Sequence, residues 1–155
     1  MIFTSISPDA FDIKNVSKDI HEMNKNIASL LSNVPPSHDI PFDVLQDIRR
    51  NGGGLLPSQP ISKHAENRII EHASKKVSVR IFNIEDPQFI YLHIHGGGHC
   101  IGAADMQDQS LEKVSKDLNC VVISVEYRLA PKNPYPAAPD DCETAALWLV
   151  ENSKK

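Results

Sequence analysis

Two periods of hydrophobicity divide this chain. From residue 16 to 31, Val16, Ile20, Met23, Ile27, Leu30 and Leu31 recur at steps of three and four, which places them along one side of an α-helix. Ser17 stands where an N-cap would, and Pro35 and Pro36 end the run. The stripe is expected to pack on the helix's own domain, because a dimerising coiled coil needs more heptads than this. Asp39 and Pro41 open a shorter helix with Phe42, Leu45 and Ile48 on one side, and Gly52 stops it. Gly52, Gly53 and Gly54 read as a plain loop, and Pro57 and Pro60 mark a linker. The period then falls to two. R-I-I-E-H-A and V-S-V-R-I-F-N-I, within residues 67–84, predict strands. In the second, Val77, Val79, Ile81 and Asn83 oppose Ser78, Arg80 and Phe82, the alternation of a half-covered strand.

Residues 88–94 carry almost no polar interruption, which predicts a strand buried on both faces. A helix should start at Asp105, with Leu111, Val114 and Leu118 as its buried stripe and Asn119 at its end. Residues 120–125 then form another buried strand, making a strand–helix–strand unit with a parallel, right-handed crossover. Pro131, Pro134, Pro136 and Pro139 stiffen the next loop. Asp140 and Asp141 suit the first turn of a last helix whose inner face is Cys142, Ala145, Ala146 and Leu149. The expected organisation is a helical segment with a linker over 1–60 and an α/β portion over 61–155.

Composition narrows the function classes. The chain has 155 residues, 41% of them hydrophobic, as suits one globular domain. Sixteen basic against 20 acidic residues leave a net charge of -4 without a basic cluster, Lys154 and Lys155 being only a ragged end, so nucleic acid is not expected as a partner. Cys100, Cys120 and Cys142 are odd in number, far apart and without C-x-x-C, which predicts reduced thiols in the cytoplasm. No run approaches membrane-spanning length, and no signal peptide is expected.

The chemistry concentrates in Y-L-H-I-H-G-G-G-H-C-I-G, residues 91–102. Gly96, Gly97 and Gly98 follow a strand and precede a helix, at the strand end where open α/β sheets place ligands. Their amides can approach a ligand oxygen closely, as an oxyanion hole requires. His93, His95 and His99 admit a metal reading, but no carboxylate or Cys completes a ligand pattern, and no cofactor is expected. His95 is read instead as bonding the glycine turn, and His93 as packed in the strand. Arg128, after Tyr127, could bind a substrate carboxylate; pairing with an acid such as Asp141 is the favoured reading.

The glycine triplet, with V-E-Y-R-L-A-P and P-Y-P-A-A-P-D-D-C downstream, resembles the hormone-sensitive-lipase-like branch of the α/β-hydrolase fold. The similarity runs roughly from residue 62 onward. It implies an incomplete hydrolase sandwich of about four strands, mostly parallel, with crossover helices and an amino-terminal helical cap segment. It also implies a serine carboxylic-ester hydrolase without cofactor, acting on a small-molecule ester. The Gly97 and Gly98 amides would form the oxyanion hole, and Met23 or Ile27 of the cap would lie near an acyl chain. The family's nucleophile lies in G-x-S-x-G, which these residues lack; Ser110, Ser115 and Ser124 fall within a helix or strand. The triad is therefore expected outside this chain, which should not hydrolyse esters alone; a non-catalytic binding module is the alternative. His99 stands where the family usually has an aromatic residue, and Lys132 where it often has Glu. Strand 88–95 would border the missing nucleophile strand, so self-association or a complementary carboxyl-terminal fragment is expected at its bare edge.

Overall fold

The computed structural model describes residues 7–52 and 58–153; the expected loop at Gly53, Gly54 and Pro57 and the end at Lys154 and Lys155 lie outside the described residues. The chain forms two compact units, Met1–Ile40 and Pro41–Lys155, so the domain boundary expected near residue 60 falls inside the second.

The first unit holds α1 (Lys18–Ser32), preceded by short 3-10 turns. The Ser17 hydroxyl accepts from the Ile20 amide at 3.4 Å, the cap read from sequence. The apolar stripe, expected to be packed, is exposed from Ile20 to Leu31, and only Val16, before the helix, is half-buried. Among its described residues the unit offers only 3-10 turns beside it, too little surface to cover a helix face.

In the second unit, α2 (Phe42–Asn51) ends at Gly52, whose positive φ of 76° lets its amide reach the Ile48 carbonyl. Strands β1 (Ala65–His72), β2 (Lys75–Phe82), β3 (Phe89–Ile94) and β4 (Cys120–Glu126) form one sheet in the order β1-β2-β4-β3. β3 and β4 pair in parallel through α3 (Asp108–Leu118), while β2 runs antiparallel to both its neighbours. β2 thus opposes the other three strands, and the sheet is mostly parallel by direction. Helix α4 (Ala137–Asn152) leads away from β4.

Each face of the sheet carries a core. Ala145 and Leu149 of α4 pack with Val77, Val79, Ile81, Ile123 and Val125 on one face. Leu111 of α3 packs with Phe82, Cys120 and Val122 on the other. β2 is therefore not half-covered: Arg80 and Phe82 are buried beside α3, and only Ser78 and Asn83 of the expected pattern stay exposed. β3 departs the other way. Phe89, Tyr91 and Ile94 are exposed because β3 is a terminal strand of the sheet, with β4 on one side only among the described residues.

Helix α3 begins at Asp108, not Asp105, which lies in the preceding turn and accepts the Asp108 amide through its carbonyl. Its buried residues are Asp108, Leu111 and Ser115; Leu118, expected inside, is 52% exposed. The polar members turn inward because they have partners there, the Ser115 hydroxyl donating to the Cys120 carbonyl at 2.7 Å. Pro139, assigned to the loop, falls in the first turn of α4, where its missing N–H is not needed.

β1 and β2 are joined by Ala73 and Ser74, both at positive φ (49° and 66°), a type I′ turn built without its usual residues. Ser74→Gly is expected to stabilise the unit by about 1 kcal/mol, since glycine removes the left-handed penalty. A urea melt checks this; a lowered midpoint would contradict the turn.

Candidate active site

The end of β3 runs into Gly96, Gly97 and Gly98. Gly97 has φ +129°, Gly98 +61° and His99 +61°, so the chain reverses through three consecutive positive-φ residues. A Cβ on Gly97 would lie 1.9 Å from the Ile101 carbonyl oxygen, and one on Gly102 would lie 2.6 Å from the Gly96 oxygen. These two positions admit only glycine. The Gly97 carbonyl accepts from the Cys100 and Ile101 amides at 3.1 Å each, closing the turn on itself. Among the described residues no group accepts a hydrogen bond from the Gly97 or Gly98 amide. A cavity of about 180 Å³ lies against the turn, bordered by His95, Gly96, Gly97 and Gly102 and by Arg49 of α2.

The turn is braced from β4 and the loop after it. The Tyr127 hydroxyl donates to the His95 carbonyl at 2.7 Å, and its ring stacks on the His95 imidazole with centroids 4.0 Å apart. Ala130 donates through its amide to the His99 carbonyl at 2.9 Å. The Glu126 carboxylate accepts from the Ala104 amide at 2.6 Å, and the Ser124 hydroxyl donates to the Ala104 carbonyl at 3.0 Å. Arg128 binds Asp141 of α4 through Nε and Nη2 at 2.8–3.1 Å, and the Asp141 carboxylate also takes the Arg128 amide. This ties the loop to α4 as a charge-assisted fork.

The three histidines go to separate partners. His95 is buried; its Nδ1 donates to the Gly96 carbonyl at 2.9 Å, while Nε2 has no partner among the described residues. His93 Nδ1 meets the Ser124 hydroxyl at 2.9 Å, and since that hydroxyl donates to Ala104, His93 Nδ1–H is the donor. His99 leans on Tyr127 with centroids 5.8 Å apart. Among the described residues, no three His, Cys, Asp or Glu side chains form a metal-holding group.

Burial holds the His93 imidazole below its ordinary pKa, opposed by Gln107 and reinforced by His95. The unfolded chain therefore takes up this proton first, so His93's stabilisation is complete above about pH 6.5 and is lost as the pH falls below it. His93→Gln is expected to lessen the loss of stability between about pH 7 and 5, checked by urea melts at both values.

Several participants carried no motif. Gln46 of α2 donates to the Cys100 carbonyl at 2.8 Å and Arg50 pairs with Asp105 at 2.9 Å, which seats α2 over the glycine turn. Their spacing of four on a short helix was the available signal. Beneath α3, Arg80 and Asp108 form a buried fork that also holds the Ser62 amide and carbonyl. An arginine between the apolar residues Val79 and Ile81 of β2 was its sign.

A family model described as alpha/beta hydrolase fold matches residues 91–155. Esterase LipI of Mycobacterium tuberculosis is 33% identical over 111 residues, which cover 64% of this chain and 33% of that protein. An arylesterase of Saccharolobus solfataricus is 30% identical over 114 residues, 70% of this chain and 37% of that one. The crystal structure of EstE5 soaked with p-nitrophenyl butyrate superposes with a TM-score of 0.65 at 20% identity, covering 90% of this chain and 45% of EstE5. The chain thus spans less than half the length of each. Among the described residues no helix is long and apolar enough to cross a membrane. The sheet order, the glycine turn leading from β3 towards α3 and these likenesses agree: the chain has the α/β-hydrolase fold and is similar in sequence to esterases.

Proposed function

We propose that this chain supplies the oxyanion hole of a hormone-sensitive-lipase-like carboxylic-ester hydrolase, with the Gly97 and Gly98 amides as donors. The observation that carries the reading is that neither amide is spent within the described residues, although the turn is braced from several sides. Donors fixed before reaction bond an oxyanion more strongly than the ground-state carbonyl, and one such donor is typically worth about 3 to 4 kcal/mol of barrier. His95, Gly96, Tyr127, Arg128 and Asp141 support the turn without touching the reacting atoms. The nucleophilic serine, its histidine and its acid belong to a G-x-S-x-G-bearing segment outside these 155 residues. The open edge of β3 suits the strand that carries it, whether continuous with this chain or on a complementary fragment; pairing with a second copy is the competing use of that edge. Helix α2, tied to the Cys100 carbonyl and to Asp105, forms part of a cap over the site. Three free thiols, Cys100, Cys120 and Cys142, favour a reducing compartment such as the cytoplasm.

Fluorophosphonate labelling tests the reading. The 155-residue chain is expected to take no label, and the product of the reading frame extended past Lys155 to take it at one serine. Labelling of the short chain, or none on a folded extended product, would overturn the proposal, the latter result leaving a binding module.

A further inference from the structure

The cavity beside the glycine turn has an unusual electrostatic make-up for a site that is to take an ester. Its border includes a cation and no acid: Arg49, the imidazole of His95, the backbone of Gly96, Gly97 and Gly102, and Gln107. Arg49 is half-buried and has no ion pair or hydrogen bond among the described residues, whereas Arg50, its neighbour on α2, is taken by Asp105. The two arginines are thus distinguished by the fold. Gln46 and Arg50 pin α2, and the pinned helix leaves Arg49 at the cavity.

A guanidinium partly withdrawn from water with no counter-charge is costly unless something anionic joins it. The cavity offers such a ligand the planar fork of Arg49, which matches carboxylate geometry, beside the unspent Gly97 amide. The cavity's 180 Å³ exceeds a bare carboxylate, leaving room for part of the chain that bears it.

We infer that Arg49, beside the glycine turn, forms a carboxylate subsite, and that the ester substrates of this protein carry a free carboxylate, as dicarboxylic half-esters do, with the Gly97 amide left for the ester oxygen. The assignment to substrate rests on the esterase reading; the anion site itself does not.

Titration of the isotopically labelled 155-residue chain with monomethyl glutarate, observed at the Gly97 amide, tests the site without any nucleophile. A saturable shift is expected, with dimethyl glutarate, which lacks the charge, binding about tenfold more weakly or worse, as the loss of a charge-assisted hydrogen bond implies. Arg49→Gln should weaken the half-ester by a similar factor and leave the weak diester binding unchanged; Arg49→Lys should recover part of the difference. Equal binding of half-ester and diester, or unchanged half-ester binding by a folded Arg49→Gln chain, would overturn the subsite. Fluorophosphonate labelling reports separately on the esterase reading, so the failure of one is distinguishable from the failure of the other.

Discussion

Gly97→Ala is expected to cost this protein about 3 kcal/mol or more, because a strained backbone angle and a backbone clash fall on the same residue. The added Cβ would sit 1.9 Å from the Ile101 oxygen, and that oxygen belongs to main chain that cannot rotate aside. At φ +129° the residue lies where side chains are rarely accommodated. Relief therefore requires the whole turn to open, with loss of the amide bonds that the Gly97 carbonyl accepts from Cys100 and Ile101. For a unit of this size the melting temperature should fall by roughly 12 °C or more. Gly96→Ala is the internal control. Its Cβ would meet nothing within 4 Å and its φ is not positive, so its effect should stay within about 1 kcal/mol. Thermal melts of the two variants decide the matter: equal melting temperatures would mean the turn is not the one described.

Removing the Asp108 carboxylate should be comparably severe. Asp108 is 0% exposed and its two oxygens take Arg80 Nε at 2.8 Å, Arg80 Nη2 at 2.5 Å and the Ser62 amide at 2.7 Å. Asp108→Ala leaves a buried guanidinium without counter-charge, a loss of about 3 to 5 kcal/mol. Replacing both partners by apolar residues, Arg80→Met with Asp108→Leu, should recover more than half of that, since no charge then remains inside. The pair's place explains the size of the effect. It joins the segment at Ser62, strand β2 and the first turn of α3, three pieces that no other described side-chain pair holds together. By contrast, the exposed Lys113–Asp117 pair on α3 should contribute no more than about 0.5 kcal/mol. Urea melts of the single and double variants check both statements; a double variant as unstable as Asp108→Ala would contradict the account.

Much of the fold was legible in the residues. The period-two runs became β1 and β2, the apolar runs became β3 and β4, and the glycine triplet fell at the end of β3. Less legible was what each element faces. Arg80 and Phe82 looked like the wet side of β2 because alternation shows that two faces differ, not that one is uncovered; α3 covers it. The start of α3 shifted from Asp105 to Asp108 because each carboxylate has a better partner than a helix end, Arg50 for the first and Arg80 for the second. Leu118 stayed outside and Ser115 went inside because Ser115 has the Cys120 carbonyl to satisfy it.

Local sequence determined which residues would be helix, strand or turn, and that three glycines would interrupt the chain where a strand gives way to a helix, because periodicity and backbone freedom act over a few neighbours. Only the tertiary structure decided that the Gly97 and Gly98 amides would be left unspent among the described residues, and that α2 would bring Arg49 to the cavity that Gly97 borders. Those outcomes depend on contacts between residues some 50 positions apart, such as Gln46 with Cys100 and Arg50 with Asp105, and such pairings leave no mark on the local pattern of either partner.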